Sequence, residues 1–201
     1  MGVMMSRFNL MRSTSAGFAR DTRGIAAIEF ALIAPALIFL TMGVLEMSFR
    51  FRAVEEATRY VHQVADLVSR QNALTSDGLE DIYGAATNMM KPLEDIDNLD
   101  FDVSSIGFEG DDAEPTTFWR RVAGTPVTFD VDEVEGMGVE DETVIRVGVR
   151  YTYESVLTDM FGGKAMAIER EAFARPRVER VITMDGQARN ANGAVVYLDV
   201  D

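Results

Sequence analysis

The chain has 201 residues, one histidine, no cysteine and a formal net charge of −14 at pH 7. Without cysteine it forms neither disulfides nor thiolate sites, and its strong negative charge argues against nucleic acid as a partner. The single histidine, His62, falls among polar positions of a predicted helix, and no serine has the setting of a nucleophile. An enzyme is therefore not expected.

Residues 1–24 are predicted to form a cytoplasmic leader that carries four arginines and one acid. The apolar run that follows, from Ile25 to Leu45, is long enough to cross the hydrocarbon core of a bilayer as a helix. Basic residues concentrate before this run, which places the N-terminus in the cytoplasm. We expect a single-pass protein of the inner (cell) membrane, with a transmembrane helix over residues 25–47 and an exported, periplasmic domain over residues 48–201.

One carboxylate interrupts the predicted span in its first turns: Glu29, five residues after Gly24. A charged side chain at a bilayer centre costs about 2.5–3.5 kcal/mol on insertion scales, and less toward the interface. Glu29 either snorkels to the cytoplasmic interface or meets a positive charge. Cleavage after Gly24 would supply one, because the new α-ammonium on Ile25 would lie four residues before Glu29 on the same helix face. Such pairing, within one chain or between neighbours, would hold helices in register.

Two further residues of the span are unusual. Pro35 removes one backbone hydrogen bond and can kink the helix, which either shapes its packing against neighbouring helices or has no consequence. Glu46, near the far end of the span, is expected at the level of the lipid headgroups.

Beyond the span, apolar residues at three- and four-residue intervals predict that the helix continues, amphipathic, to about Arg70. A second helix is predicted from Ser76, as N-cap, to Pro92. Short alternating segments then predict strands, which are Phe101–Phe108, Thr117–Val122, Val144–Glu154, Ala165–Phe173 and Val178–Thr183, with one helical turn over Val156–Phe161. The predicted fold is α+β, with the extended N-terminal helix packed on a small antiparallel sheet, one face of which is buried.

The exported part carries a net charge of −15, since the whole chain carries −14, the leader +3 and the span −2. Despite this acidity, no cofactor or metal site is expected in it. The segment Asp130–Gly136 has the acidic density of a calcium loop but lacks the oxygen ligand at the fifth position and the glycine at the sixth. Gly162-Gly163-Lys164 is too short for a phosphate-binding loop and predicts a turn. Both acidic stretches, Glu109–Glu114 and Asp130–Asp141, are interpreted as solvated loops between strands.

The start of the span resembles a known signal. Gly24, an apolar residue after it and glutamate at the fifth position are similar to the class III signal of type IV prepilins, which prepilin peptidase cleaves on the cytoplasmic side. More narrowly, Arg23–Pro35 resembles the opening of the TadE/TadG-like family of tight-adherence (Flp) pilus assembly proteins. The alternating stretch that ends at Tyr153 and the segment Ala174–Arg177 are similar to the C-terminal half of that family.

This resemblance implies a pilin-like fold and a minor pilin or pseudopilin-like protein that serves assembly of a thin adhesive pilus (type IVb), in surface attachment, cell adhesion and biofilm formation. It implies cleavage between Gly24 and Ile25 by prepilin peptidase, as in some members of the family. The expected partners are the membrane, the pilus assembly platform and other pilin-like membrane helices, which Glu29 and Pro35 would contact.

Two other functions stay open on the sequence. A signal-anchored periplasmic domain can sense a ligand or scaffold an envelope complex unrelated to pili. An acidic periplasmic hydrolase is the weaker alternative, because no constellation of His, Cys or metal ligands supports it. Neighbouring genes for a secretion ATPase, a prepilin peptidase and a small Flp-type pilin would favour the pilus function over both.

Overall fold

The computed structural model describes residues 23–89, 99–153, 165–190 and 194–198. Its contacts divide the chain into two compact units, Met1–Met47 and Ser48–Asp201. The predicted helical turn Val156–Phe161, the turn at Gly162–Lys164 and the helix stop at Pro92 lie outside the described residues.

Helix α1 runs from Arg23 to Ser69 and ends one residue before the predicted limit. Its last turns are amphipathic as expected, because one stripe of small and β-branched residues is buried: Ala53, Ala57, Val61, Val64, Ala65 and Val68. At the end of the helix, the Arg177 amide donates to the carbonyl of Ser69 at 2.9 Å. A distant segment of the chain thus satisfies one of the terminal carbonyls that a helix leaves unpaired.

Strand β1 (Ala73–Leu74) leads into helix α2 (Ser76–Met89). The predicted N-cap, Ser76, is wrong by one residue, since the hydroxyl of Thr75 accepts from the Gly78 amide at 3.1 Å. Ser76 is instead capped from far along the chain: its amide donates to Oδ1 of Asp185 at 2.9 Å, and its hydroxyl donates to Oδ2 at 2.8 Å. Two caps of different origin therefore fix the start of α2.

The remaining strands are β2 (Leu99–Glu109), β3 (Glu114–Ala123), β4 (Thr143–Tyr153), β5 (Met166–Ala174), β6 (Thr183–Met184) and β7 (Val195–Tyr197). Five of them form one sheet in the order β5-β4-β2-β3-β7, and β1 pairs with β6 in a small second sheet. The α+β class is confirmed, with long helix and small sheet as predicted.

The sheets differ from the prediction in being mixed. β7 runs parallel to β3, with Arg120 opposite Val195, and β1 runs parallel to β6, with Ala73 opposite Thr183. Parallel partners are joined by long connections rather than tight turns, so hairpin signals in the sequence do not reveal them. The predicted strand Val178–Thr183 is also wrong, because within it only Thr183 belongs to a strand.

Two hydrophobic cores lie on opposite faces of the main sheet. The larger joins the buried stripe of α1 to alternating strand residues such as Phe101, Val103, Val147 and Val149. Trp119 lies within it, fully buried, and donates from its indole nitrogen to the carbonyl of Ile182 at 2.8 Å.

The smaller core consists of Ile106, Phe108, Val134 and Val144. The connection between β3 and β4, which includes a 3₁₀ turn at Val131–Val134, supplies Val134. The face that the sequence assigns to solvent is therefore partly covered, because the acidic stretch of 130–141 also carries apolar residues that pack.

Candidate functional site

The first candidate surface is the apolar half of α1, which has the length and composition to cross a membrane. Nothing in the described part of the chain buries its most apolar 18-residue window. Leu32 is 75% exposed and Phe30 is 69% exposed. An apolar surface of this size that is open on all sides needs cover from lipid or from other helices.

Glu29 is placed on this surface with its side chain exposed. It forms no ion pair with any residue that the structure describes. Its position is four residues after Ile25 in a continuous helix, so the two residues lie on one face, about 6 Å apart along the axis. A cationic group at Ile25, or one on an adjacent helix, is thus within reach of the Glu29 carboxylate.

Gly24 and Pro35, the other predicted residues of this surface, are both helical. Among the described residues, nothing approaches within 4 Å of the place where a Cβ on Gly24 would be. Helix α1 continues through Pro35, and because proline has no amide hydrogen, the carbonyl of Ala31 loses its partner within the helix. Two turns later, the Thr41 hydroxyl donates to the carbonyl of Leu37 at 2.8 Å.

The second candidate surface is a row of charged residues on the sheet face away from α1. Arg146 on β4 is fully buried, and its guanidinium lies flat over Gly148: a Cβ on that glycine would be 2.9 Å from Nη2. Its Nε donates to Glu171 on β5 at 3.0 Å, and its Nη1 is 3.7 Å from Asp102 on β2. The ring of Phe129 covers the guanidinium carbon at 4.2 Å.

Asp102 is also fully buried and has further donors besides Arg146. The Arg120 guanidinium binds it in a bidentate fashion, and the amide of Val127 donates to Oδ2 at 3.1 Å. A second charged row lies beside the first, at Asp100, Arg150 and Glu169. Nη1 of Arg150 is 3.6 Å from Oδ2 of Asp100, and its Nε is 2.7 Å from Oε1 of Glu169. The hydrogen bond with Glu169 is the main cause that raises the pKa of Arg150. The two rows thus connect β2, β4 and β5 by ion pairs, buried in the Asp102–Arg146 row and partly exposed in the Asp100–Arg150 row.

A cavity of about 450 Å³ adjoins these rows. It is lined by Val127, Thr128, Phe129, Asp130, Glu133, Glu169, Arg170 and Glu171. The negative charge of Glu171, together with a hydrogen bond to it, raises the pKa of Glu133. Within the described ranges, no group of three or more His, Asp or Glu side chains could hold a metal ion.

Among the residues that the structure describes, no nucleophile, base and acid are arranged for catalysis. His62 is exposed on α1, and none of the hydrogen bonds of the described residues joins it to a hydroxyl or a carboxylate. The charges of the rows pair with each other across β2, β4 and β5, although Nη1 of Arg146 has no hydrogen-bond partner among the described residues. The two surfaces thus differ in kind: the apolar half of α1 is open to partners, and the charges of the rows are paired within the fold.

Sequence reasoning placed Ile25, Glu29 and Pro35 on one helix, with Gly24 as the last residue of the leader, and it overlooked Asp102 and Arg146. In the structure the helix already includes Gly24. A signal for Asp102 and Arg146 exists in the chain, because charged residues of one sign stand two or four positions apart, and so on one face, in three strands: Asp100 and Asp102, Arg146 and Arg150, and Glu169 and Glu171. Only the strand order, with the arginine strand between the two acidic strands, shows that these charges are complementary.

Comparison with known proteins gives one family. Residues 24–66 match the model of the TadE-like protein family. The match begins at the glycine of the predicted signal and ends in the amphipathic part of α1. It confirms the resemblance to the family, while the similar stretches that end at Tyr153 and lie at Ala174–Arg177 fall outside the matched residues. Neither a curated protein nor a solved structure matches the chain.

Proposed function

Since residues 24–66 are TadE-like, we propose that this protein is a minor pilin or pseudopilin-like protein that serves assembly of a tight-adherence (Flp, type IVb) pilus. The family match supports involvement in Tad pilus assembly. The finer role depends on a single observation: an apolar helix, none of whose most apolar 18-residue window is buried, with a carboxylate in its first turns, Glu29, five residues after Gly24.

The proposed mechanism uses helix association in the inner membrane. The apolar half of α1 anchors the chain with its N-terminus in the cytoplasm, and the unit Ser48–Asp201 is exported to the periplasm. After cleavage between Gly24 and Ile25 by prepilin peptidase, the α-ammonium of Ile25 pairs with Glu29 of the same chain or of a neighbouring pilin-like helix. A carboxylate in a low-dielectric medium is stable only when it is paired, so this charge pair sets the axial register between helices.

Pro35 is proposed to assist this packing. The carbonyl of Ala31, left without an intrahelical donor, is available to a polar group of an adjacent helix or to a local adjustment of the backbone. We expect the exported unit to bind the pilus assembly platform. Its net negative charge argues against nucleic acid as a partner. We propose no catalytic activity for it.

The test is piliation in the native host. Deletion of the gene should abolish surface pili, and Glu29→Gln should reduce them strongly while the protein stays in the membrane fraction at its normal level. The matched control is Glu55→Gln, which neutralises an exposed acid of the same helix outside the apolar run. Normal pili in both the deletion strain and the Glu29→Gln strain would refute the proposed function and leave a pilus-independent envelope domain as the better hypothesis.

A further inference from the structure

Two exposed phenylalanines follow the apolar run at the point where the exported unit begins. Phe49 is 49% exposed and Phe51 is 63% exposed, and they alternate with Arg50 and Arg52. We call residues Phe49 to Arg52 the exit segment. The next residue, Ala53, is fully buried in the larger core. The exit segment is therefore regular helix directly before a packed core, so fraying of a chain end does not explain its exposure.

The composition of the exit segment fits a particular environment. Aromatic side chains concentrate where a membrane meets water, and arginine places its apolar stem along hydrocarbon while its charged head reaches the phosphates. In α1, Phe49 and Phe51 lie about 200° apart around the axis, because successive residues turn by about 100°. A flat protein partner would cover only one side of such a helix, whereas a lipid headgroup layer covers all sides.

The position of the exit segment along the helix agrees with this environment. Ile25 to Leu45 spans about 30 Å at 1.5 Å per residue, which equals the thickness of the hydrocarbon core. Phe49 lies about 6 Å beyond Leu45 and Arg52 about 10 Å beyond it. A headgroup layer adds about 5–8 Å on each side of the core, so Phe49 falls in it. Phe51 lies about 9 Å beyond Leu45, and because helical side chains point back toward the N-terminus, the Phe51 ring and the long Arg52 side chain can reach back into the layer.

We propose that the exit segment binds the outer-leaflet headgroup layer of the membrane, with anionic phospholipid as the ligand of Arg52. This inference rests on the membrane anchor of the proposed function and goes beyond it, since it moves the lipid boundary from Met47 to Arg52. It leaves no residue between the lipid-bound segment and the first buried residue of the core, Ala53. The depth of the anchor in the membrane is then set by the exit segment.

The chain has no cysteine, so single cysteines can report the boundary. Four full-length variants are reconstituted in nanodiscs that hold one chain each, made of about two parts phosphatidylcholine to one part phosphatidylglycerol. Thr41→Cys probes the span, Ser48→Cys and Phe51→Cys probe the exit region, and His62→Cys probes an exposed aqueous site of the same helix. The readout is the rate of modification by a charged maleimide, which requires the thiolate and water.

We expect the cysteines at 48 and 51 to react at least about ten-fold more slowly than the one at 62, and the one at 41 to be slower still. Rates at 48 and 51 equal to that at 62, with 41 still protected, would overturn the inference and leave the anchor intact. A rate at 41 equal to that at 62 would contradict the anchor itself, and with it the proposed function.

The role of Arg52 is tested in the Ser48→Cys background. Arg52→Gln should speed modification at position 48 about three-fold or more in the phosphatidylglycerol discs, and less in discs of pure phosphatidylcholine, because the attraction to anionic headgroups is lost. Arg59→Gln, two turns further along the helix and also exposed, is the matched control and should change nothing. Equal effects of Arg52→Gln and Arg59→Gln would refute headgroup binding by Arg52.

Discussion

The two halves of helix α1 differ in composition and in surroundings: the first is almost entirely apolar, whereas charged residues alternate with apolar ones in the second. In the first half, large apolar side chains such as Leu32 and Phe30 are more than two-thirds exposed, whereas in the second half Ala57, Val61 and Val68 are completely buried. The second half is amphipathic and packs on a sheet of its own unit. The first half is apolar all round, so its stability depends on lipid or on other helices.

This contrast predicts that different residues control assembly in the membrane and folding of the unit Ser48–Asp201. Changes within the unit Ser48–Asp201 should alter its stability, and changes at Glu29 should alter association in the membrane without unfolding that unit. The only tryptophan, Trp119, is buried in the larger core, so its fluorescence reports the unfolding of the unit Ser48–Asp201 in the full chain. The predictions below use urea denaturation in detergent with this signal, and Glu29→Gln should leave the midpoint unchanged in each case.

The largest loss of stability is expected for Asp102→Ala. It leaves the fully buried Arg146 with Glu171 as its remaining carboxylate partner and removes the acceptor of Arg120 and the Val127 amide. Removing one partner of a buried ion pair costs about 3–5 kcal/mol. The control is Asp111→Ala, at an exposed acid of the β2–β3 turn, with an expected change within about 0.5 kcal/mol. Equal midpoints for the two variants would mean that the charged row does not hold the sheet.

A smaller loss is expected for Gly148→Ala. The new Cβ would lie 2.9 Å from Nη2 of Arg146 and would displace a guanidinium that Phe129 holds in place. We expect a loss of about 1–3 kcal/mol from strain and weakened hydrogen bonds. Gly84→Ala in α2 is the matched control, because its Cβ meets nothing within 4 Å and alanine favours helix by about 1 kcal/mol. If Gly148→Ala is as stable as Gly84→Ala, the guanidinium does not rest on Gly148.

Asp185→Asn should produce a modest effect that depends on pH. The Ser76 amide, its hydroxyl and the Arg121 guanidinium lower the pKa of Asp185 in the folded chain. A lowered carboxyl pKa contributes stability above the unfolded value of about 3.8, and this contribution is lost as pH falls through the folded value. The difference from the parent chain should be below about 1 kcal/mol at pH 6 and should shrink toward pH 3. A difference that grows on acidification would contradict this assignment.

Glu133→Gln should have the smallest effect on stability, and it should stabilise the unit rather than destabilise it. Repulsion by Glu171 raises the pKa of Glu133 in the folded chain. A raised carboxyl pKa means that stability falls as pH rises through it. Neutralising Glu133 should therefore raise the denaturation midpoint slightly at pH 7 and not at pH 4. Glu135→Gln, an exposed acid two residues along, is the control, and a loss of stability at pH 7 in Glu133→Gln would show that the repulsion is absent.

Local patterns in the sequence predicted most of the helices and strands. The spacing of Ala57, Val61 and Val68 predicted the amphipathic end of α1, and the alternation of Val147 and Val149 with polar residues predicted β4. Both patterns reflect burial on one side of a single element, which short-range periodicity records directly.

Features that depend on distant partners were not predictable in the same way. Thr75 and Ser76 are both common caps by type, and the sequence does not show that Ser76 bonds Asp185, over a hundred residues away, while Thr75 receives the Gly78 amide. Arg146 was assigned to a solvated face because nothing in its own strand shows that Phe129 covers it. The parallel strand β7 and the complementary charges of β2, β4 and β5 likewise require the strand order.

The candidate site, in contrast, could be predicted almost entirely from local sequence. The exposed apolar helix, Gly24, Ile25, Glu29 and Pro35 all follow from the first 47 residues, because a single membrane helix needs no tertiary partner within its own chain. What no single chain shows is the positive charge that we propose as the partner of Glu29.

The most direct test of this partner is the intact mass of the protein purified from piliated native cells. We predict a mature chain that begins at Ile25, which places a free α-ammonium one helical turn before the Glu29 carboxylate. A mature chain that retains residues 1–24 would contradict the proposed charge pair.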